Sequence, residues 1–473
     1  MRFVINNTKK KLLHITGSSI LLLALLGIST FQASATGQSQ QDNPIYIVQG
    51  GDSLNTIALR FGVSAEDIQT ANDITDPNAL KIEQRLIIPG LEGISGLLTS
   101  EVLQYGTSLV GLARQYHSEW EDLVYLNRLS SPSETIAGLT FIIPVDETQP
   151  PLSPAHSVSN GETMLEYAVR TGISPWEMVD NNRLSGSWDL LSGEQLYAPS
   201  ETDTGSTPLP NVEDISFNNL PIIQGETLAI EIISSSQGEF SGTFNDANLH
   251  FFTEDSEAYY SFHGIHALEE PGVYPLKIML TTEDGTLHTF EQLVLLEAGV
   301  YGNEWVTVLD EYLDEEVIAE EEAYVDPILN QFTPQRYWDG RFQYPVDEPC
   351  INSRFGQRRD YNDGSFFFYH TGMDFAVCAP NLNIYAPAAG KVVLAEELTI
   401  KGNAVLIDHG WGVFSGYWHM SEFNVSVGDF VQPGDLLGQI GNTGRSAGPH
   451  LHFEMDISGT PVNPMTWLSQ EFP

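Results

Sequence analysis

Basic residues are scarce in this chain, and cysteines scarcer. Its 473 residues include 20 Lys and Arg against 63 Asp and Glu, a formal charge of −43. So acidic a chain is repelled by phosphate backbones and by anionic bilayers, which excludes both as electrostatic partners. No apolar run after the N-terminal region approaches the roughly 20 residues that span a membrane. There is no HExxH segment, so a zinc chemistry that relies on its glutamate is excluded. Cys350 and Cys378 are the only cysteines, enough for one disulfide in an oxidising compartment; free thiols or metal ligands are the alternative. At this length about three domains are expected.

The N-terminus reads as an export signal. Lys9-Lys10-Lys11 is followed by a short apolar run, Ile20 to Ile28, and then by Ala33-Ser34-Ala35, a signal-peptidase pattern. Residues 1–35 are therefore expected to be removed, leaving no stable membrane anchor. No cysteine follows the apolar run, so no lipid anchor is expected either. The expected location is secreted, at the cell wall or in the periplasm.

The first half repeats. Gly51-Asp-Ser-Leu54, Gly106-Thr-Ser-Leu109 and Gly161-Glu-Thr-Met164 recur at a step of 55 residues, as do Asn72, Asn127 and Asn182, and Pro89, Pro144 and Pro199. Each unit predicts a strand, a glycine turn, a helix capped by Asp52 or Ser53 or their counterparts, a second helix, and a closing strand. Residues 44–90, 100–145 and 154–200 are thus three βααβ units, and they resemble the LysM module. The resemblance implies binding of N-acetylglucosamine-containing glycan, in a groove between Gly51–Leu54 and Asn72–Asp76 and their repeats. The bland reading of the same residues is that they cap and turn.

Residues 201–211 form a polar linker. From 212 to 300 the pattern is of short strands with an Asp284-Gly285 hairpin signal, which predicts an immunoglobulin-like β-sandwich. It has no catalytic constellation, and His263 and His266 read as structural or solvated. Residues 303–340 read as an acidic helical linker, with Val308, Leu309, Tyr312, Leu313, Val317 and Ile318 near helical spacing. It is either a solvated connection or a segment that covers a cleft in the last domain.

Residues 341–473 are rich in glycine and strands and predict an all-β domain without a substantial helix. His370 and Asp374 are spaced to share one face of a strand, and so are His450 and His452. The ordered set Asn352-Ser-Arg-Phe-Gly-Gln-Arg358, His370-x-x-x-Asp374, Tyr417-x-His419, Gly441-Asn-Thr-Gly444 and Gly448-Pro-His-Leu-His-Phe-Glu454 resembles the lysostaphin-type zinc endopeptidases. That resemblance implies Zn2+ held by His370, Asp374 and His452, with His419 and His450 as an unligated catalytic pair. His450 is the expected general base and His419 the expected donor to the oxyanion, with the two roles exchangeable. Tyr361 is the candidate assisting tyrosine and Tyr369 its competitor. Asp408-His409 reads as structural.

The overall expectation is a multidomain, secreted peptidoglycan hydrolase whose partners are wall glycan and wall peptide. Its rival is a non-catalytic activator of a separate wall amidase, which the complete His/Asp set disfavours.

Overall fold

The computed structural model describes residues 43–473 except 160, 192, 200–208, 210, 236–237 and 365. The export signal lies outside the described residues, as does most of the 201–211 linker. Residues 42–473 form one compact unit.

The three repeats fold alike. In the first, strand Ile45–Ile47 leads through Gly51 (φ 89°) into helix Leu54–Phe61, then helix Ala65–Ala71 and strand Arg85–Ile87. The cap is Ser53 rather than Asp52: Ser53 accepts from the Thr56 amide, while Asp52 accepts from the Tyr46 hydroxyl at 2.7 Å. The repeated asparagine is a backbone staple. Asn72 donates to the carbonyls of Ile68 and Ile87 and accepts from the Ile87 amide. Asn127 and Asn182 do the same with Leu123 and Ile142, and with Met178 and Tyr197. Its amide is therefore spent on backbone, where an unpaired group would be costly. Repeats one and two share a four-stranded sheet, since Ile45–Ile47 also pairs in parallel with Leu97–Val102.

The second repeat is fused to the middle domain. Tyr105 is buried in that domain's core and donates to the Leu276 carbonyl at 3.0 Å. Gln292 accepts from the Gly106 amide at 2.7 Å and donates to the carbonyls of Thr107 and Thr135. Ala137 exchanges backbone hydrogen bonds with Leu293 and Leu295. The middle domain itself is a five-stranded sheet facing a three-stranded sheet across one apolar core. Its hairpin Gly272–Thr282 with Leu287–Glu297 turns at Gly285 (φ 81°).

Residues 303–335 depart from the helical expectation. Asn303–Val306 is a strand, paired in parallel with Arg358–Tyr361. The helix proper is Glu315–Leu329, capped by Asp314. It buries Glu321, Val325 and Leu329 rather than the earlier apolar positions.

The last domain is built on an antiparallel sheet in the order Cys350–Ser353, Met373–Ala376, His450–Ile457, Val413–Met420, Gly402–Gly410, Gly390–Leu398, Phe430–Val431. One face packs on the domain's main core, which continues into the middle domain through Ala229 and through Phe262, whose ring packs against Trp338, Trp411 and Trp467. On the other face Leu394, Leu406, Phe414 and Trp418 pack against Val325 and Leu329 of the acidic helix. The only helix after residue 341 among the described residues is the short Pro464–Ser469. Cys350 and Cys378 are disulfide-bonded across a separation of 28 residues, tying strand Cys350–Ser353 to the end of its partner strand Met373–Ala376, which carries Asp374. Replacing both with serine should lower the domain's unfolding free energy by about 3–4 kcal/mol through loop entropy, read by denaturant titration.

Candidate active site

His370 and Asp374 do not share a strand, contrary to the spacing expectation. His370 follows strand Phe366–Tyr369 and Asp374 lies in strand Met373–Ala376, which belongs to a different sheet. The chain bends between them at Gly372, where a Cβ would lie 2.6 Å from His452 Nε2. The bend brings Asp374 into register with His452 on the neighbouring strand. His450 and His452, two apart on one strand, do share a face as expected.

Three donor atoms then form a nearly equilateral triangle. His370 Nε2 lies 3.0 Å from Asp374 Oδ1 and 3.0 Å from His452 Nδ1, and the last two are 3.1 Å apart. A tetrahedral ion with bonds of about 2.0–2.1 Å places its ligands about 3.3 Å apart, so the triangle fits a metal with little adjustment. The surroundings orient each donor. His370 Nδ1 donates to the Arg354 carbonyl at 2.9 Å, leaving Nε2 free for a metal. His452 Nε2 donates to Glu454 at 3.2 Å, leaving Nδ1 free, and Thr371 donates to the same carboxylate. Asp374 accepts from Arg359 at 2.7 Å through Oδ2, leaving Oδ1, and Arg359 is held in turn by Glu304 at 2.7 Å.

The charges support the same seat. Burial pushes His370 down to about 4. Burial acts to raise Asp374, but His370, His450 and His452 outweigh it and hold the carboxyl well below its ordinary range. Burial acts to lower His452, yet Asp374 and Glu454 on its two ring nitrogens raise it. A proton on His452 is the charge that a metal would replace. Replacing Glu454 with alanine should therefore weaken metal affinity about 10–100-fold, measured by competition with a chromogenic chelator.

The other two imidazoles flank the triangle. Their rings are 5.0 Å apart, and His450 Nε2 lies 3.5 Å from Asp374 Oδ1. His419 reaches the site through a β-bulge. Trp418 and His419 together face Ala404, and His419 takes φ 64°, which turns two successive side chains to one face. His419 Nδ1 donates to the Thr443 carbonyl at 2.8 Å and His450 Nδ1 to the Gly448 carbonyl at 2.7 Å. Each Nδ1–H is thereby committed to a carbonyl, which makes Nε2 the nitrogen of each ring left for proton transfer. Burial also keeps His419 well below 6.5, hence uncharged. The expected role of His419 as a hydrogen-bond donor does not suit this tautomer.

Tyr361 and Tyr369 both line the cavity around these residues. The Tyr369 hydroxyl is taken by His266 Nε2 at 3.2 Å, so His266, read from the sequence as structural, reaches the cavity from the middle domain. Tyr361 lies under the Arg445 guanidinium, 5.3 Å from its ring. His409 bonds to the Ala389 carbonyl and Ser415 and is fully buried away from the cavity, as expected. Sequence reasoning missed Arg359, Glu304 and the orienting role of Glu454. Only Glu454 left a signal, two residues beyond His452 on the same strand face.

Residues 368–464 match the profile of Peptidase family M23, and residues 46–89 match the LysM domain. The chain is 39% identical over 124 residues to the peptidoglycan DD-endopeptidase ShyA of Vibrio cholerae, covering 26% of this chain and 29% of that protein. It is 44% identical over 98 residues to the DD-carboxypeptidase/endopeptidase Mpg of Neisseria meningitidis, covering 20% and 22%. It thus spans under a third of the length of these curated relatives. Among solved structures it is similar to the catalytic domain of the antimicrobial peptidase lysostaphin from Staphylococcus simulans. That likeness has 28% identity over 31% of this chain and 98% of that one, with a TM-score of 0.21.

Proposed function

We propose that the chain is a secreted, zinc-dependent peptidoglycan endopeptidase that cuts stem or cross-bridge peptides at the wall or in the periplasm. The observation that carries this reading is the triangle of His370, Asp374 and His452 flanked by two imidazoles whose Nδ1 atoms are held by backbone carbonyls. The similarity of residues 368–464 to family M23 points the same way.

Zinc, when bound by those three residues, lowers the pKa of a water and polarises the scissile carbonyl. His450 is the general base: its Nδ1–H is engaged by Gly448, so Nε2 accepts the proton of the attacking water and returns it to the leaving amine. His419, uncharged and presenting Nε2, accepts the water's second hydrogen and orients it. Tyr361, which lines the cavity, is our candidate for the assisting tyrosine, since Tyr369 is engaged by His266.

The match of residues 46–89 to LysM supports glycan binding by the first repeat. We read the second and third repeats as modules of the same kind, and the middle domain as an immunoglobulin-like spacer. Gln292 covers the glycine turn of the second repeat, which leaves glycan contact to the first and third. The rival reading, an activator of a separate amidase, gives the complete ligand set no purpose. The test is to incubate the zinc-loaded chain with isolated peptidoglycan and assay new amino termini. Release that stops with chelator supports the reading; no release with zinc present sinks it.

A further inference from the structure

Two of the three metal-type ligands are held by one hydrogen-bonded network, and its anchor comes from outside the region that matches the peptidase family. Strand Asn303–Val306 lies well before residue 368, where that match begins. It follows the middle-domain strand Leu287–Glu297 and pairs in parallel with Arg358–Tyr361. Both of its ends are fixed. The Gly302 carbonyl accepts from the Arg358 amide at 2.8 Å. At the other end the Asn362 side chain accepts from the Val308 amide and donates to the Val308 carbonyl, each at 2.9 Å. The register sets Glu304 directly beside Arg359, on the same face of this small sheet.

Glu304 Oε2 accepts from Arg359 Nε at 2.7 Å and from the Ser353 hydroxyl at 2.8 Å. Arg359 Nη2 donates to Asp374 Oδ2 at 2.7 Å and to Ser353 Oγ at 3.0 Å. Ser353 Oγ also lies 3.0 Å from His370 Nδ1, the nitrogen that the Arg354 carbonyl holds. Ser353 is buried, and little of the Arg359 side chain reaches solvent. A guanidinium held at one edge alone can pivot. Held at Nε by Glu304 and at Nη2 by Asp374, its plane is fixed. Asp374 Oδ2 then stays in one place and Oδ1 is left on the donor triangle. Glu304 also offsets the positive charge of Arg359, which by itself opposes a cation at Asp374.

We propose that Glu304 is a positioning residue of the metal site: through Arg359 and Ser353 it holds Asp374 and His370 in the geometry that takes the ion. The segment leading out of the middle domain is thereby a working part of the site rather than a spacer to it. This rests on the metal-site reading above and adds to it a residue that touches neither ion nor substrate.

The test uses the full chain and three variants. Zinc affinity is measured by competition with a chromogenic chelator, and the stability of the metal-free protein by denaturant titration. Zinc has no geometry-dependent spectrum, so the visible bands of the cobalt-loaded protein report the ligand arrangement. Glu304→Ala should weaken zinc binding about 10–100-fold, the scale for loss of an outer partner, and should shift the cobalt bands. Glu304→Gln keeps an oxygen for Arg359 and Ser353, so it should restore the bands and most of the affinity. Trp305→Ala alters the next residue of the same strand, whose side chain lies on the opposite face and is 73% exposed. It should leave affinity and bands at native values. Native affinity in Glu304→Ala, whatever its stability, overturns the proposal. So does an equal loss in Trp305→Ala, or no restoration in Glu304→Gln. If the native chain itself binds no zinc, the metal-site reading fails as well.

Discussion

Replacing His450 with alanine should lower kcat/KM about 10²–10⁴-fold, the usual worth of a positioned general base. The zinc content of the protein should not change. His450 contributes no edge to the donor triangle, its nearest approach being 3.5 Å to Asp374 Oδ1, so removing it leaves His370, Asp374 and His452 as they are. Metal analysis and steady-state kinetics on one sample separate the two effects. His419→Ala should also keep its metal. If the two variants lose activity equally, the base cannot be assigned to His450 alone. If His450→Ala keeps native activity, His450 is not the base.

The second large effect concerns the ligands. His452→Ala should abolish both metal retention and hydrolysis, since two donors on opposite sides of the bend at Gly372 cannot hold an ion in a defined geometry. Asp374→Ala should lose the metal as well, and should also destabilise the fold. Its carboxylate is the partner of Arg359, whose side chain is only 13% exposed. Stranding a buried guanidinium costs about 3 kcal/mol, the lower end for a broken buried pair, because Glu304 remains beside it. Dialysis against chelator, metal analysis and a denaturant titration distinguish the two variants. Equal stability of the two would show that Arg359 does not depend on Asp374.

The site was legible where its residues lie close in sequence. The step from His450 to His452 is the strand period itself, and the glycine turns and asparagines of the repeats stand at a constant interval. It was not legible where sheets cross. His370 and Asp374 have strand spacing, yet His370 falls just after a strand of one sheet and a bend carries Asp374 into a strand of another. Glu304 reaches Arg359 because Asn303–Val306 adds to strand Arg358–Tyr361, and nothing in residues 303–335 announced a strand before a helix. His266 depends on one domain packing against another, information that no local pattern carries. The bulge at Trp418 and His419 arises from a register slip against Ala404, which is equally silent in the sequence.

The docking of Tyr105 into the middle domain, with Gln292 holding the turn at Gly106, has a consequence for how the chain would work on a wall under the proposed function. An anchor on a flexible linker would let the cutting domain sweep a disc of bonds around each point of attachment. Here the second repeat, the middle domain and the last domain are joined by shared cores, and the first repeat shares a sheet with the second, so under the proposed function the distance from sugar held at the first repeat to the severed peptide would be set in advance. The molecule is then a caliper rather than a leash. Under the proposed function it would reach cross-links at one offset from where it grips, and would have to release and grip again to cut the next.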